Sequence, residues 1–254
     1  MSDILLHLES ARLTLTINRP ERKNALTYEM YQVLVRALED AQANTDVRVL
    51  VIQGHEHIFT AGNDIEDFLA HPPLEEDAPV FRFLKALSLF PKPIVASVCG
   101  PAVGIGSSML LHCDLVVAGD NAAFSLPFVN LGLSPEGASS FLLPQLMGYH
   151  RACEALLLGD PFMAEAALEV GFVNKVVVPS EAREAAQAWA KRLEAKPLNA
   201  LIQTKAILKS QQTAATSASM KAEVALFAQL MSEGASKEAF KAFLEKRKPD
   251  FSQF

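Results

Sequence analysis

Cysteine, tryptophan and excess basic charge are all scarce in this chain of 254 residues, and each shortage narrows its class. There are three cysteines, an odd number, and Cys99, Cys113 and Cys153 stand in apolar contexts. They read as reduced core thiols of a cytoplasmic protein, not as a disulfide framework or a metal site. Lys and Arg total 23 against 29 Asp and Glu, a net charge of −6. Binding a nucleic-acid backbone needs clustered basic side chains, so no nucleic-acid partner is expected. No run approaches the roughly 20 uninterrupted apolar residues that cross a bilayer, so no membrane partner is expected either. The opening MSDILLHLES carries acids where a secretion signal carries bases, and the closing SQF is not an SKL-type peroxisomal address. The expected compartment is the cytoplasm.

Apolar residues, by contrast, make up 50% of the chain, enough for one full core with a small appendage. ILLHLES and ARLTLTIN alternate and predict a hairpin. From Thr27, a candidate N-cap, Met30, Val33, Leu34, Ala37, Leu38 and Ala41 share one helix face. VRVLVI (47–52) and PIVASV (93–98) read as buried strands, and VFRFLKALSLF between them as a helix stopped by Pro91. HPPLEEDAP (71–79) reads as a polar surface loop. Strands and helices thus alternate, an α/β pattern, until about Pro197; beyond it only helical patterns remain. The single tryptophan, Trp189, falls in the predicted helix EAREAAQAWAKRLEA and reads as core packing or interface.

The stretch GPAVGIGSS (100–108) joins a strand to a helix through Gly-x-x-x-Gly-x-Gly, which brings backbone N–H groups close to something negative. A nicotinamide dinucleotide is one candidate, with Asp120 at the distance of a ribose-binding carboxylate. Three features exclude it. Two or more strands precede the loop, no tyrosine is followed four residues later by lysine, and only about eight residues separate the loop from DLVVAG. A second bend of the same layout, HIFTAGNDI (57–65), supplies another set of outward N–H groups. Two converging donors are what an oxyanion hole requires.

With these motifs the chain resembles the crotonase, or enoyl-CoA hydratase/isomerase, superfamily. RPERKNAL (19–26), FTAGNDI (59–65), the segment GPAVGIGSSMLLHCDLVVAGDNAAF (100–124), LGLSPEGASSFLLPQLMG (131–148) and AFLEKRKPDF (242–251) match its motifs in order. The resemblance implies an α/β fold, the crotonase spiral of ββα units. It implies a core over 1–196 holding the acyl-CoA site, and a C-terminal helical region over 197–254 that supports a homotrimer or a dimer of trimers. It further implies an acyl-CoA substrate, with nothing beyond the CoA moiety as cofactor.

Residue by residue, the resemblance places the oxyanion hole at the backbone N–H groups of Asn63 and Ile105, which follow Gly62 and Gly104. It places CoA contacts at Lys23 and at the backbone around Ala25 and Ala61. Hydratases of the family carry two glutamates, at positions where this chain has Ser108 and Phe128. A third acidic position is filled: Glu136 matches the single catalytic glutamate of the Δ3,Δ2-enoyl-CoA isomerase branch. Taken alone, Glu136 between Pro135 and Gly137 would read as a first-turn carboxylate stabilising a helix. Downstream of two amide nests it reads as the base, with hydration or thioester hydrolysis as the alternative chemistries. Asp64 is expected to cap its helix, and Lys246-Arg247-Lys248 to face solvent. His55-Glu56-His57 lacks a third ligand, so no metal is assigned.

Overall fold

A computed structural model describes residues 2–254. The described residues form nine strands: β1 (Ile4–Glu9), β2 (Arg12–Ile17), β3 (Val49–Gln53), β4 (Ile94–Val98), β5 (Pro101–Val103), β6 (Leu115–Gly119), β7 (Ala123–Ser125), β8 (Phe162–Met163) and β9 (Lys175–Val177). Six of them make one sheet in the order β1-β2-β3-β4-β6-β9, parallel except for the β1–β2 hairpin. Buried on both faces, β3 and β4 are continuous apolar runs, as central parallel strands must be. Side chains alternate between two cores. Leu50, Ile52, Ile94, Ala96 and Val98 join the main core with Leu34 and Leu38 of the helix Tyr28–Ala43. Val49, Val51, Val95 and Val117 face a smaller core closed by the helix Pro179–Glu194. That helix presents Ala182, Ala186 and Ala190 at four-residue spacing, so no side chain holds it off the sheet, and Trp189 packs at its flank.

A second layer repeats the order of the first. Past β2, β3, β4 and β6 the chain turns and pairs again: Leu26 bridges Asn63, Thr60 bridges Ala102, β5 pairs with β7, and β7 with β8. Each of these four strands is thus followed by a segment that pairs in the second layer, which is the spiral the sequence resemblance implies. The hairpin, the Thr27 cap (Met30 N–H to Oγ1, 3.3 Å) and the helix Pro79–Leu89 lie where the sequence puts them.

Asn24 ties the start of this layer together. It is fully buried in the left-handed region (φ 55°), where asparagine is better tolerated than most residues. Its Oδ1 accepts the Arg19 N–H at 2.8 Å, and its Nδ2 donates to the carbonyls of Ile58 and Phe59 at 3.2 and 3.0 Å. Asn24→Ala strands those backbone groups, and urea denaturation is expected to show a loss of roughly 2–4 kcal/mol. Unchanged stability would contradict this role.

The region 197–254 is three helices, Leu198–Ser210, Thr213–Ser232 and Gly234–Leu244. Val224, Phe227 and Phe240 of these helices lie in the same buried cluster as Leu15 and Leu50. Lys205 is buried and bridges Asp114 at 2.7 Å, while donating to the Lys92 carbonyl at 2.8 Å. The helical region therefore completes the core of the spiral.

Candidate active site

Three segments of the second layer converge on one cavity of about 550 Å³. Lys23, Ala25, Ala61, Gly62, Asn63, Gly104 and Ile105 all line it, so it gathers every residue the sequence nominates except Glu136. The segments are fixed to one another by backbone bonds: Ala61 N–H to the Lys23 carbonyl (3.0 Å), Leu26 N–H to that of Gly62 (2.8 Å), and Val103 N–H to that of Thr60 (3.0 Å). The apolar wall comes from Phe128, Leu131 and Leu133, and from Phe227, Phe240 and Phe243 of the C-terminal helices.

Both glycines of the two nests have φ above zero, 89° at Gly62 and 55° at Gly104. A Cβ on Gly62 would stand 2.9 Å from the Val103 carbonyl oxygen, so the two nests touch through backbone. Among the described residues, the N–H groups of Asn63 and Ile105 donate to no partner. Unpaired donors beside a cavity can receive an oxyanion without first giving up another bond. The helix after Gly104 is only Ile105–Ser108, continued by a 3₁₀ turn over Met109–His112. Its dipole is correspondingly small, and the N–H itself carries the interaction.

Several other polar groups of the motifs are occupied. Arg19 donates to Asp64 Oδ2 at 2.7 Å and to the Ala25 carbonyl at 3.0 Å. Asp64 caps the helix Ile65–Ala70 through the Asp67 N–H. Burial alone would raise the Asp64 carboxyl, but the hydrogen bond from Arg19 and the helix N–H hold it below its ordinary value. Asp64 thus fixes the bend and is not free for chemistry. The Ala61 N–H is spent on Lys23, whereas its carbonyl accepts no hydrogen bond among the described residues and is open to a donor such as an adenine amino group. Arg22 pairs with Glu66 at the exposed rim (3.1 Å). At the C-terminus Arg247 is held by Glu238 and Glu245, while Lys246 and Lys248 are exposed. His55 Nε2 lies 3.1 Å from Asn18 Oδ1.

Glu136 is not among the residues that line this cavity. It is 2% exposed, and its Oε1 is the one buried carboxylate oxygen among the described residues without a hydrogen-bond partner. The backbone turns sharply after it, with Gly137 at φ 68° and Ala138 at φ 59°. At Gly137 a Cβ would meet Leu84 Cδ2 at 3.2 Å and Ser108 Cβ at 3.3 Å, so this turn leans on the helix that carries Ile105. Burial, and then the charge of Glu223, push the Glu136 carboxyl up to about 8. Ser108 is fully buried with its Oγ donating to the Gly104 carbonyl (3.1 Å), and Phe128 belongs to the apolar wall.

Two neighbours escaped the sequence reading. The Tyr31 hydroxyl donates to Asn63 Oδ1 at 2.5 Å; burial, with the charges of Glu136 and Asp67, raises it well above its ordinary value. Asn63 also borders a second cavity of about 430 Å³, under the loop 71–79, so its side chain stands between the two spaces. Glu223, from the helix Thr213–Ser232, accepts the Ala138 N–H at 2.6 Å. An acid on a helix face otherwise occupied by Met220, Val224 and Phe227 was the available signal.

Known proteins resemble this chain in sequence and fold. An Escherichia coli (strain K12) 2,3-dehydroadipyl-CoA hydratase is 34% identical over 254 residues, covering 99% of each chain. A rat enoyl-CoA delta isomerase 2 is 41% identical over 179 residues, 68% of this chain and 46% of that protein. The crystal structure of an enoyl-CoA hydratase/isomerase from Pseudoalteromonas atlantica T6c superposes with a TM-score of 0.94 at 37% identity, over 99% of this chain and 100% of that one. The match to the family extends over residues 9–254, which include both amide nests, the Glu136 turn and the helices that wall the cavity. This chain belongs to the enoyl-CoA hydratase/isomerase family.

Proposed function

We propose that the protein shifts the double bond of an enoyl-CoA from position 3 to position 2. The observation that carries this reading is Glu136, a buried carboxyl group with an unpartnered oxygen, on a turn packed against the helix that begins with the free amide of Ile105. As carboxylate, Glu136 removes a proton from C2, and the electrons move onto the thioester oxygen. The N–H groups of Asn63 and Ile105 stabilise that oxyanion. Glu136, now protonated, returns the proton to C4, and the conjugated 2-enoyl thioester forms. One acid suffices because no water is activated. Lys23 and the open Ala61 carbonyl hold the nucleotide end of CoA, and no further cofactor takes part.

The reading is tested by offering the protein a 3-enoyl-CoA and, separately, a 2-enoyl-CoA. A product of unchanged mass with conjugated-thioester absorbance is expected from the first, and none from the second. A 2-enoyl-CoA that gains water would carry the other reading, hydration, which the name of the Escherichia coli relative favours. Against it stands the Ser108 hydroxyl, already engaged with the Gly104 carbonyl.

The pH profile follows from the base. The active form is the carboxylate, whose share grows as pH rises through about 8. Below that value kcat/KM is expected to rise about tenfold per pH unit, and above it to level off. A flat profile between pH 5.5 and 8 would contradict Glu136 as the base. The same reading makes the chain a homotrimer or a pair of trimers, and sedimentation equilibrium is expected to give three or six chain masses.

A further inference from the structure

We propose that Glu223 is a positioning residue for this base: from the C-terminal region it holds the turn that carries Glu136 and brings a second carboxyl group close to it. This deepens the reading of Glu136 given above and rests on it. Glu223 is 6% exposed, and both its oxygens are occupied. Oε2 accepts the Ala138 N–H at 2.6 Å; Oε1 accepts the Ser140 N–H at 3.0 Å and the Ser140 hydroxyl at 2.5 Å. Ala138 is a non-glycine residue in the left-handed region, a conformation that persists only where its surroundings impose it. Glu223 supplies that constraint two residues from the base. In doing so it caps the helix Ser139–Met147, whose own preceding residue Ala138 offers no side-chain cap.

Charge makes the arrangement more than a cap. Burial raises the Glu223 carboxyl above its ordinary value, and the three donors that bind it favour the ionised form and hold that rise back. Its charge is felt at Glu136 in a site without water-exposed surface, where it disfavours a second negative charge. The charges of Lys205 and Lys209 act on His112 beside the turn, but the Glu136 carboxyl responds to burial and to Glu223. Tyr31 faces Glu136 from the helix Tyr28–Ala43 as a neutral phenol. His112 Nε2, 2.8 Å from the Gly137 carbonyl, is buried and lowered to about 4, so it stays neutral in the working range. The helix Pro79–Leu89 contributes the apolar Leu84. Ser134 and Ser219 flank Glu223 as hydroxyls. A neutral residue at 223 therefore lets Glu136 ionise at lower pH.

The test is a titration of the Glu136 carboxyl by ¹³C NMR in protein labelled at glutamate, with the Glu136→Gln spectrum assigning the signal. In Glu223→Gln its midpoint is expected to fall by about one pH unit or more, with the midpoint of kcat/KM falling in step. A Glu136 midpoint that stays put in folded Glu223→Gln overturns the proposal. A carboxyl midpoint that moves while the rate profile does not upholds the coupling and instead removes Glu136 from the chemistry. Should Glu223→Gln not fold, the spectrum of the native protein decides. The Glu223 carboxyl is expected to ionise first, with its midpoint below that of Glu136, and a Glu223 still protonated when Glu136 ionises overturns the proposal.

Discussion

Glu136→Gln is expected to lower kcat for a 3-enoyl-CoA by about 10²–10⁴-fold while making the protein more stable near pH 8. Glutamine keeps the shape of the side chain but cannot take a proton, so the whole base contribution is lost. Stability moves the other way because of burial. The folded-state value, about 8, lies above the ordinary glutamate value of 4.5, so the folded protein binds this proton more tightly than the unfolded chain does. The stability so conferred is complete below about 4.5 and lost as pH rises towards 8. Glutamine removes that penalty, and chemical denaturation at pH 8 is expected to show a gain of roughly 2–4 kcal/mol over the native protein. Loss of activity without a gain in stability would show that Glu136 is not held as a desolvated acid. Such opposed effects are common where chemistry needs a group the fold would rather not bury.

The second large effect belongs to the amides. In Gly62→Ala, φ 89° becomes unfavourable and the new methyl stands 2.9 Å from the Val103 oxygen. Either the Asn63 N–H or the segment leading to the Ile105 N–H must shift. Loss of one oxyanion donor costs about 10²–10³ in kcat, and that is the expected effect at 62. Gly148→Ala provides the contrast. Gly148 also has φ 79°, but a Cβ there meets nothing within 4 Å, and the turn lies outside the cavity lining. It is expected to lose about 1–2 kcal/mol of stability with kcat unchanged. If the two variants lose turnover equally, strain and not donor geometry explains the loss at 62.

How far the sequence revealed this site depended on whether the cause was local. A glycine bend between strand and helix is a local device, so both amide nests were readable from FTAGNDI and GPAVGIGSS. Capping is equally local, and Thr27 and Asp64 cap the helices expected of them. What the sequence left open depends on contacts across the chain. Tyr31 looks like any aromatic on an apolar helix face until the fold sets its hydroxyl on Asn63. Glu223 meets Ala138 across 85 positions, from a region that reads in sequence as a helical appendage. The turn that carries Glu136 likewise packs on Leu84 and Ser108, each distant from it in sequence.

The central claim is that one buried carboxylate carries the proton from C2 to C4, and isomerisation of a 3-enoyl-CoA in heavy water tests it most directly. A proton held on a group 2% exposed is shielded from solvent during its transfer. The conjugated product of early turnover is therefore predicted to contain much less than one deuterium per molecule. Full deuteration at C4 from the first turnover, or a product that has gained a molecule of heavy water, would contradict the account.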